Sequence, residues 1–158
     1  MQEYRGYMPK AITIEWETPW SLFYKLDAEF HFTIDVCATQ QNAKCLEFYT
    51  KEDDGLKQEW KGVCWMNPPY GRELPKWIEK AYKECKFSNV TTVCLIPVRS
   101  DTKWWHQYVM KAHEVRLIEG RVKFGGKDAA PFPSCLVVFH GTEPRPTVPI
   151  FSAMKVPK

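Results

Sequence analysis

The stretch Gly62-Val63-Cys64-Trp65-Met66-Asn67-Pro68-Pro69-Tyr70-Gly71 constrains this chain more than any other. Its first half is a short apolar, β-favouring run, which predicts a buried strand ending at Met66. Two consecutive prolines stop that strand. Pro68 fixes its own φ and holds Asn67 extended, and neither proline has an N–H to donate. The result is a stiff turn that offers only acceptors, the Asn67 side-chain oxygen and the main-chain carbonyls, with the Tyr70 ring just beyond. An amide oxygen, a donor-free carbonyl and a ring together suit a flat molecule that carries an exocyclic NH2. The same residues also make an ordinary strand-to-helix turn, since Asn-Pro commonly opens turns.

Composition bounds what surrounds this turn. A chain of 158 residues with 44% hydrophobic content predicts a single domain. Its core is expected over about 15–141, after an arm over 1–14 and before a tail over 142–158 that holds Pro144, Pro146, Pro149 and Pro157. No apolar run approaches the roughly 18 residues of a membrane span, and the Met1–Lys10 segment lacks the apolar centre of a signal peptide. Six scattered cysteines without C-x-x-C or zinc-site spacing predict free thiols in a reducing, cytoplasmic compartment. The four histidines share no metal or triad spacing, and neither G-x-S-x-G nor a Walker A loop is present, so hydrolase chemistry has no support. A net charge of +3 neither requires nor opposes a nucleic-acid partner.

In chain order, Thr18-Pro19-Trp20 predicts a helix start, with Thr18 as N-cap or, alternatively, as a contact to an anionic ligand. Trp20, Phe23, Leu26 and Phe30 carry helical spacing through 20–30. Phe32–Ala38 predicts a strand with Asp35 near its carboxyl end, where it either caps the next turn or faces a ligand. Thr39–Lys44 is a polar loop without a dinucleotide fingerprint. Leu46–Thr50 predicts a short strand, and Lys51–Leu56 an acidic turn containing Asp53 and Asp54. Glu73–Lys86 predicts a helix whose Trp77, Ile78, Ala81, Tyr82 and Cys85 share one face. Asn89–Ile96 predicts a strand in the middle of a parallel sheet. A short helix over 102–111 and strands over 114–118 and 134–140 follow. Between those strands lies a basic, glycine-rich loop, expected to be mobile, with Arg121, Lys123, Phe124 and Lys127. Arg99 stands at the carboxyl end of the preceding strand, a place suited to a phosphate or carboxylate.

This order of elements predicts an α/β fold. Taken with Asp35 and Asp53-Asp54, the Asn67-Pro68-Pro69-Tyr70 turn resembles the signature of S-adenosyl-L-methionine-dependent DNA N6-adenine methyltransferases. The TPW, EDDGL, PVRSDTKWW and GRVKFGG segments resemble the small phage and prophage Dam-like branch, and the resemblance spans about Thr18 to His140. It implies an abbreviated Rossmann-like methyltransferase sheet, mostly parallel with a C-terminal antiparallel hairpin. It also implies S-adenosyl-L-methionine as cofactor, double-stranded DNA as partner, and no metal or membrane. Thr18 and Pro19 match the segment that holds the methionine end of the cofactor, and Asp35 matches the acid that faces its ammonium. Ala38 allows close backbone approach, and either Asp53 or Asp54 reads the adenosine. Asn67 and Pro68 would accept the two N6 hydrogens of an adenine flipped out of the duplex, with Tyr70 stacking on it and Phe124 as a second wall. Arg99, Arg121, Lys123 and Lys127 would hold phosphates. The same turn fits two other acceptors, RNA adenine and a protein glutamine amide, and a catalytically silent DNA-binding relative would keep the fold.

Overall fold

The chain, as a computed structural model, is described over residues 16–126 and 128–158. The expected arm and Lys127 lie outside the described residues. Helix α1 (Trp20–Phe30) forms where its spacing predicts, but Thr18 does not cap it. Pro19 holds the N-cap position, and its carbonyl accepts from the N–H groups of Leu22 and Phe23 at 3.1 Å. The helix ends at His31, in the left-handed region with φ 56°, and Asp27 Oδ1 accepts the freed N–H of Phe32 at 2.9 Å. Leu22, Phe23 and Leu26 are buried, whereas Trp20 remains 42% exposed. The inward stripe is therefore rotated away from Trp20.

Among the described residues, six strands form one sheet in the order β1-β2-β3-β5-β4-β6. They are β1 (Ile34–Asp35), β2 (Val63–Met66), β3 (Thr91–Pro97), β4 (Glu114–Glu119), β5 (Ser134–Phe139) and β6 (Ile150–Lys155). The pairs β1/β2, β2/β3 and β4/β6 are parallel, while β5 opposes both β3 and β4. Five strands thus point one way and β5 alone runs back, which makes the expected hairpin of β4 and β5. The centrally buried β3 consequently has one parallel and one antiparallel neighbour, not the two parallel ones expected.

Helices cover both faces, as the register shows. Phe139 of β5 pairs with Thr92 of β3, and Thr92 with Cys64 of β2, so these three share a face. Tyr82 of helix α2 (Leu74–Ser88) meets Phe139 there, with ring centroids 6.3 Å apart. Trp65 points the opposite way and meets Phe23 of α1 at 5.6 Å. The face of α2 is the expected one: Trp77, Ile78, Ala81, Tyr82 and Cys85 are buried, joined by Leu74. The predicted helix over 102–111 is split into α3 (Lys103–Gln107) and a 3-10 turn at Val109–Lys111.

Three segments depart from expectation. The strand predicted over 32–38 shortens to Ile34–Asp35, because the Asp35 carboxylate takes the N–H groups of Cys37 and Lys44 and folds the chain back. Leu46–Thr50 is not a strand: Glu47 and Tyr49 exchange main-chain hydrogen bonds with Asp35 and Ala38, but the pairing stops at a single bridge between Phe48 and Asp35, and Leu46 is fully exposed. The proline-rich tail carries β6, which runs in register with β4 from Glu114↔Ile150 to Glu119↔Lys155. Its prolines stand before and after the strand, where no ladder N–H is needed.

Candidate active site

The carboxyl ends of β1 and β2 lie side by side, joined by Val36 N–H donating to Trp65 O at 3.1 Å. Open α/β sheets bind ligands at this edge. A cleft of about 440 Å³ opens there, lined in part by Thr18, Asp35, Ala38, Asp54 and Asn67. That volume falls within the roughly 300–1,000 Å³ usual for small-molecule sites.

Asn67 follows β2 directly, and its side chain is held from one side. The Nδ2 amine donates to the main-chain oxygen of Trp16 and, at 3.0 Å, to Thr18 Oγ1. A main-chain carbonyl can only accept, so the amide nitrogen must face Trp16 and the oxygen must face away. Asn67 Oδ1 is buried and has no hydrogen-bond partner among the described residues. An orphaned buried acceptor is costly, and one at a cleft is open to a donor from outside the chain. Thr18 itself is only 2% exposed and serves Asn67 instead of capping α1. Pro19 does not line the cleft, and of the two prolines in the turn Pro69 does while Pro68 is buried.

Asp35 is 2% exposed. Burial raises its pKa from the ordinary 3.8 to about 7, against the pull of the Lys44 and Cys37 N–H groups and the Lys44 ammonium. It therefore closes the following loop and also lines the cleft. The paired acids part company. Asp53 Oδ2 accepts from the N–H and hydroxyl of Thr50 at 2.8 and 2.9 Å, which holds its carboxyl below its ordinary pKa, and it does not line the cleft. Asp54 does, at a φ of 55°. The turn they form is docked and not merely solvated. A Cβ on Gly55 would sit 2.2 Å from Val36 O and 3.0 Å from the Trp77 ring, so only glycine lets the backbone come this close.

Tyr70 is 1% exposed and donates its hydroxyl to Leu95 O at 3.0 Å. Its ring meets Phe124 and Phe132 edge-on at 6.2 and 5.5 Å, and Trp16 packs on the same two phenylalanines. The structure thus brings Tyr70 and Phe124 together, as an enclosed cluster next to Asn67. In the loop bearing Phe124, Val122 and Phe124 are buried, and Gly125 N–H donates to Glu17 O at 2.9 Å. Arg121 and Lys123 project from it into solvent, and Arg99 is exposed after β3. Among the described residues no group of His, Cys, Asp and Glu could hold a metal ion, and no helix is long and apolar enough to cross a membrane.

Residues 6–145 match the profile of the DNA N-6-adenine-methyltransferase (Dam) family. The chain belongs to that family. It is 37% identical over 113 residues to the DNA N-6-adenine-methyltransferase of Haemophilus phage HP1, covering 69% of this chain and 65% of that one. It is 30% identical over 122 residues to the enzyme of the same description from Escherichia phage T1, covering 75% of this chain and 50% of that one. The matched stretch is thus under two thirds of the length of either relative. Within the Dam family frame, sequence reasoning overlooked Trp16, Lys44 and Trp77, all of which line the cleft. Trp16 precedes the segment matched to the motif, and Lys44 is one polar residue in a polar loop. Trp77 was legible only as a core position on α2.

Proposed function

We propose that this chain transfers a methyl group from S-adenosylmethionine to the N6 amine of an adenine in DNA. The observation that carries the proposal is the buried, unpartnered Asn67 Oδ1, held outward by the two acceptors behind the amide. The Asn67 oxygen and the Pro68 carbonyl would each accept one N6 hydrogen, drawing the nitrogen towards tetrahedral geometry and freeing its lone pair from the ring. That assistance is aimed at the charge and shape of the transition state, where it lowers the barrier.

The cleft residues fit the cofactor. Asp35 would face its ammonium, Asp54 its adenosine, and Ala38 would allow close approach beside them; an ordered acid and an orphaned polar lining suit such a ligand. When bound, S-adenosylmethionine supplies an electrophilic methyl on a sulfonium. The Tyr70, Phe124, Phe132 and Trp16 cluster would open to wall the adenine, which must leave the stack to be reached. Arg99, Arg121, Lys123 and Lys127 would hold the backbone of the duplex.

The test is transfer of labelled methyl to DNA, with the product nucleoside and its flanking bases identified. N6-methyladenine is expected with the wild-type chain. Asn67→Ala should keep cofactor binding and lose about 100-fold or more of the transfer rate. Near-normal turnover in that variant rejects the role of Asn67, and preferred labelling of RNA or of a glutamine amide rejects the substrate.

A further inference from the structure

Five buried side-chain polar atoms lack a hydrogen-bond partner among the described residues, and three belong to residues lining the cleft: Trp16 Nε1, Lys44 Nζ and Asn67 Oδ1. Only Lys44 among them carries a charge. Its side chain is 3% exposed, and its ammonium lies 3.7 Å from Glu17 Oε1, an ion-pair distance longer than a hydrogen bond. The same nitrogen stands 3.7 Å from the centroid of the Trp20 ring. A cation–π platform and a distant carboxylate explain why an ammonium is tolerated there, yet they leave its N–H donors unused. A buried cation without a hydrogen-bonded anion is costly, and the cost is recovered when an anion arrives.

The backbone of Lys44 shows which anion fits. Its N–H donates to Asp35 Oδ2 at 3.0 Å, so the loop over 37–44 closes on Asp35 and sets cation and carboxylate in one wall of the cleft. One buried acid beside one buried ammonium is the complement of an α-amino-acid zwitterion.

We infer that Lys44 binds the carboxylate of the cofactor's amino-acid end while Asp35 faces its ammonium, an inference that rests on the S-adenosylmethionine assignment above. Glu17 is the counter-ion that the incoming carboxylate displaces. Half exposed, it can turn to solvent.

Calorimetric titration without DNA tests this, using S-adenosylmethionine and its decarboxylated analogue, which keeps the sulfonium, adenosine and ammonium. Wild type should prefer the carboxylate-bearing compound roughly tenfold or more, as expected for a charge-assisted bond. Lys44→Met should bring that ratio close to one, a change that general loosening of the fold does not produce because both compounds share every other contact. Glu17→Gln, at a position exposed enough to keep the fold, should widen the ratio. Equal affinity of wild type for the two compounds, a ratio unchanged in Lys44→Met, or a ratio unchanged in Glu17→Gln overturns the inference. Failure of wild type to bind either compound is a different result, and it overturns the cofactor assignment itself.

Discussion

An amide side chain is two-faced, and Asn67 is useful only one way round. The Trp16 carbonyl and Thr18 hydroxyl decide which way, because both stand on the nitrogen side. Replacing Thr18 by Val removes one of these bonds while keeping the shape, so the amide turns more freely. Single-turnover methylation by Thr18→Val should slow about fivefold to tenfold, the value of one ordinary hydrogen bond, with little change in melting temperature. An unchanged rate would mean that Trp16 alone orients the amide. Asp35 makes a second residue-scale prediction, in pH. Its folded-state value of about 7 lies above its ordinary 3.8, so the native state holds this proton more tightly than the unfolded chain. The resulting stability is fully present below the unfolded value and is lost as pH rises through 7. Cofactor affinity should move the opposite way, since an ammonium needs the ionised carboxylate, and should weaken as pH falls below 7. Urea midpoints and binding constants for wild type and Asp35→Asn across this range check both signs. An Asp35→Asn profile parallel to wild type in both would remove Asp35 from the titration.

Elements set which side chains can reach the site. The loop after β4 is pinned by Val122, Phe124 and the Gly125 bond to Glu17, so its basic residues are presented on a fixed base. If Arg121 and Lys123 each neutralise one phosphate, replacing both by Ala should make the plot of log affinity against log salt less steep by roughly 2. An unchanged slope would take the loop out of the DNA interface. The tie between Gly125 and Glu17 also places this loop next to the counter-ion of Lys44. At the other end of the cleft, the docked Gly55 backbone brings Asp54 to the lining and leaves Asp53 to cap Thr50.

For the whole molecule, the site depends on a sheet whose stability comes from elsewhere. All six residues of β5 are buried, and this reversed strand joins β3 to the β4/β6 edge. Leu136→Ala at its fully buried centre should cost about 2–5 kcal/mol in denaturant unfolding, as large-to-small changes in cores do. Because β5 lies two strands from β2, cofactor affinity of the folded protein should stay near wild type. A large loss of affinity instead would show that the core and the cleft are coupled.

Much of this was legible along the chain because it depends on local stereochemistry. The apolar run over 63–66, the one-sided face of α2 and the donor-free Asn67-Pro68-Pro69 turn follow from side-chain periodicity and from proline's missing N–H. The same local rules gave the tail as an extended surface segment but not the pairing of its strand Ile150–Lys155 with β4. What the chain order could not show are meetings between distant segments: Trp16 and Thr18 with Asn67, Gly55 with Val36, and Lys44 beside Asp35. Those meetings chose Asp54 over Asp53 for the cleft, turned Thr18 from a helix cap into a support for the amide, and left the buried Lys44 ammonium without a hydrogen bond. Local sequence determines which groups a residue can offer. Only packing determines which of those groups are already satisfied, and the ones left over define the site.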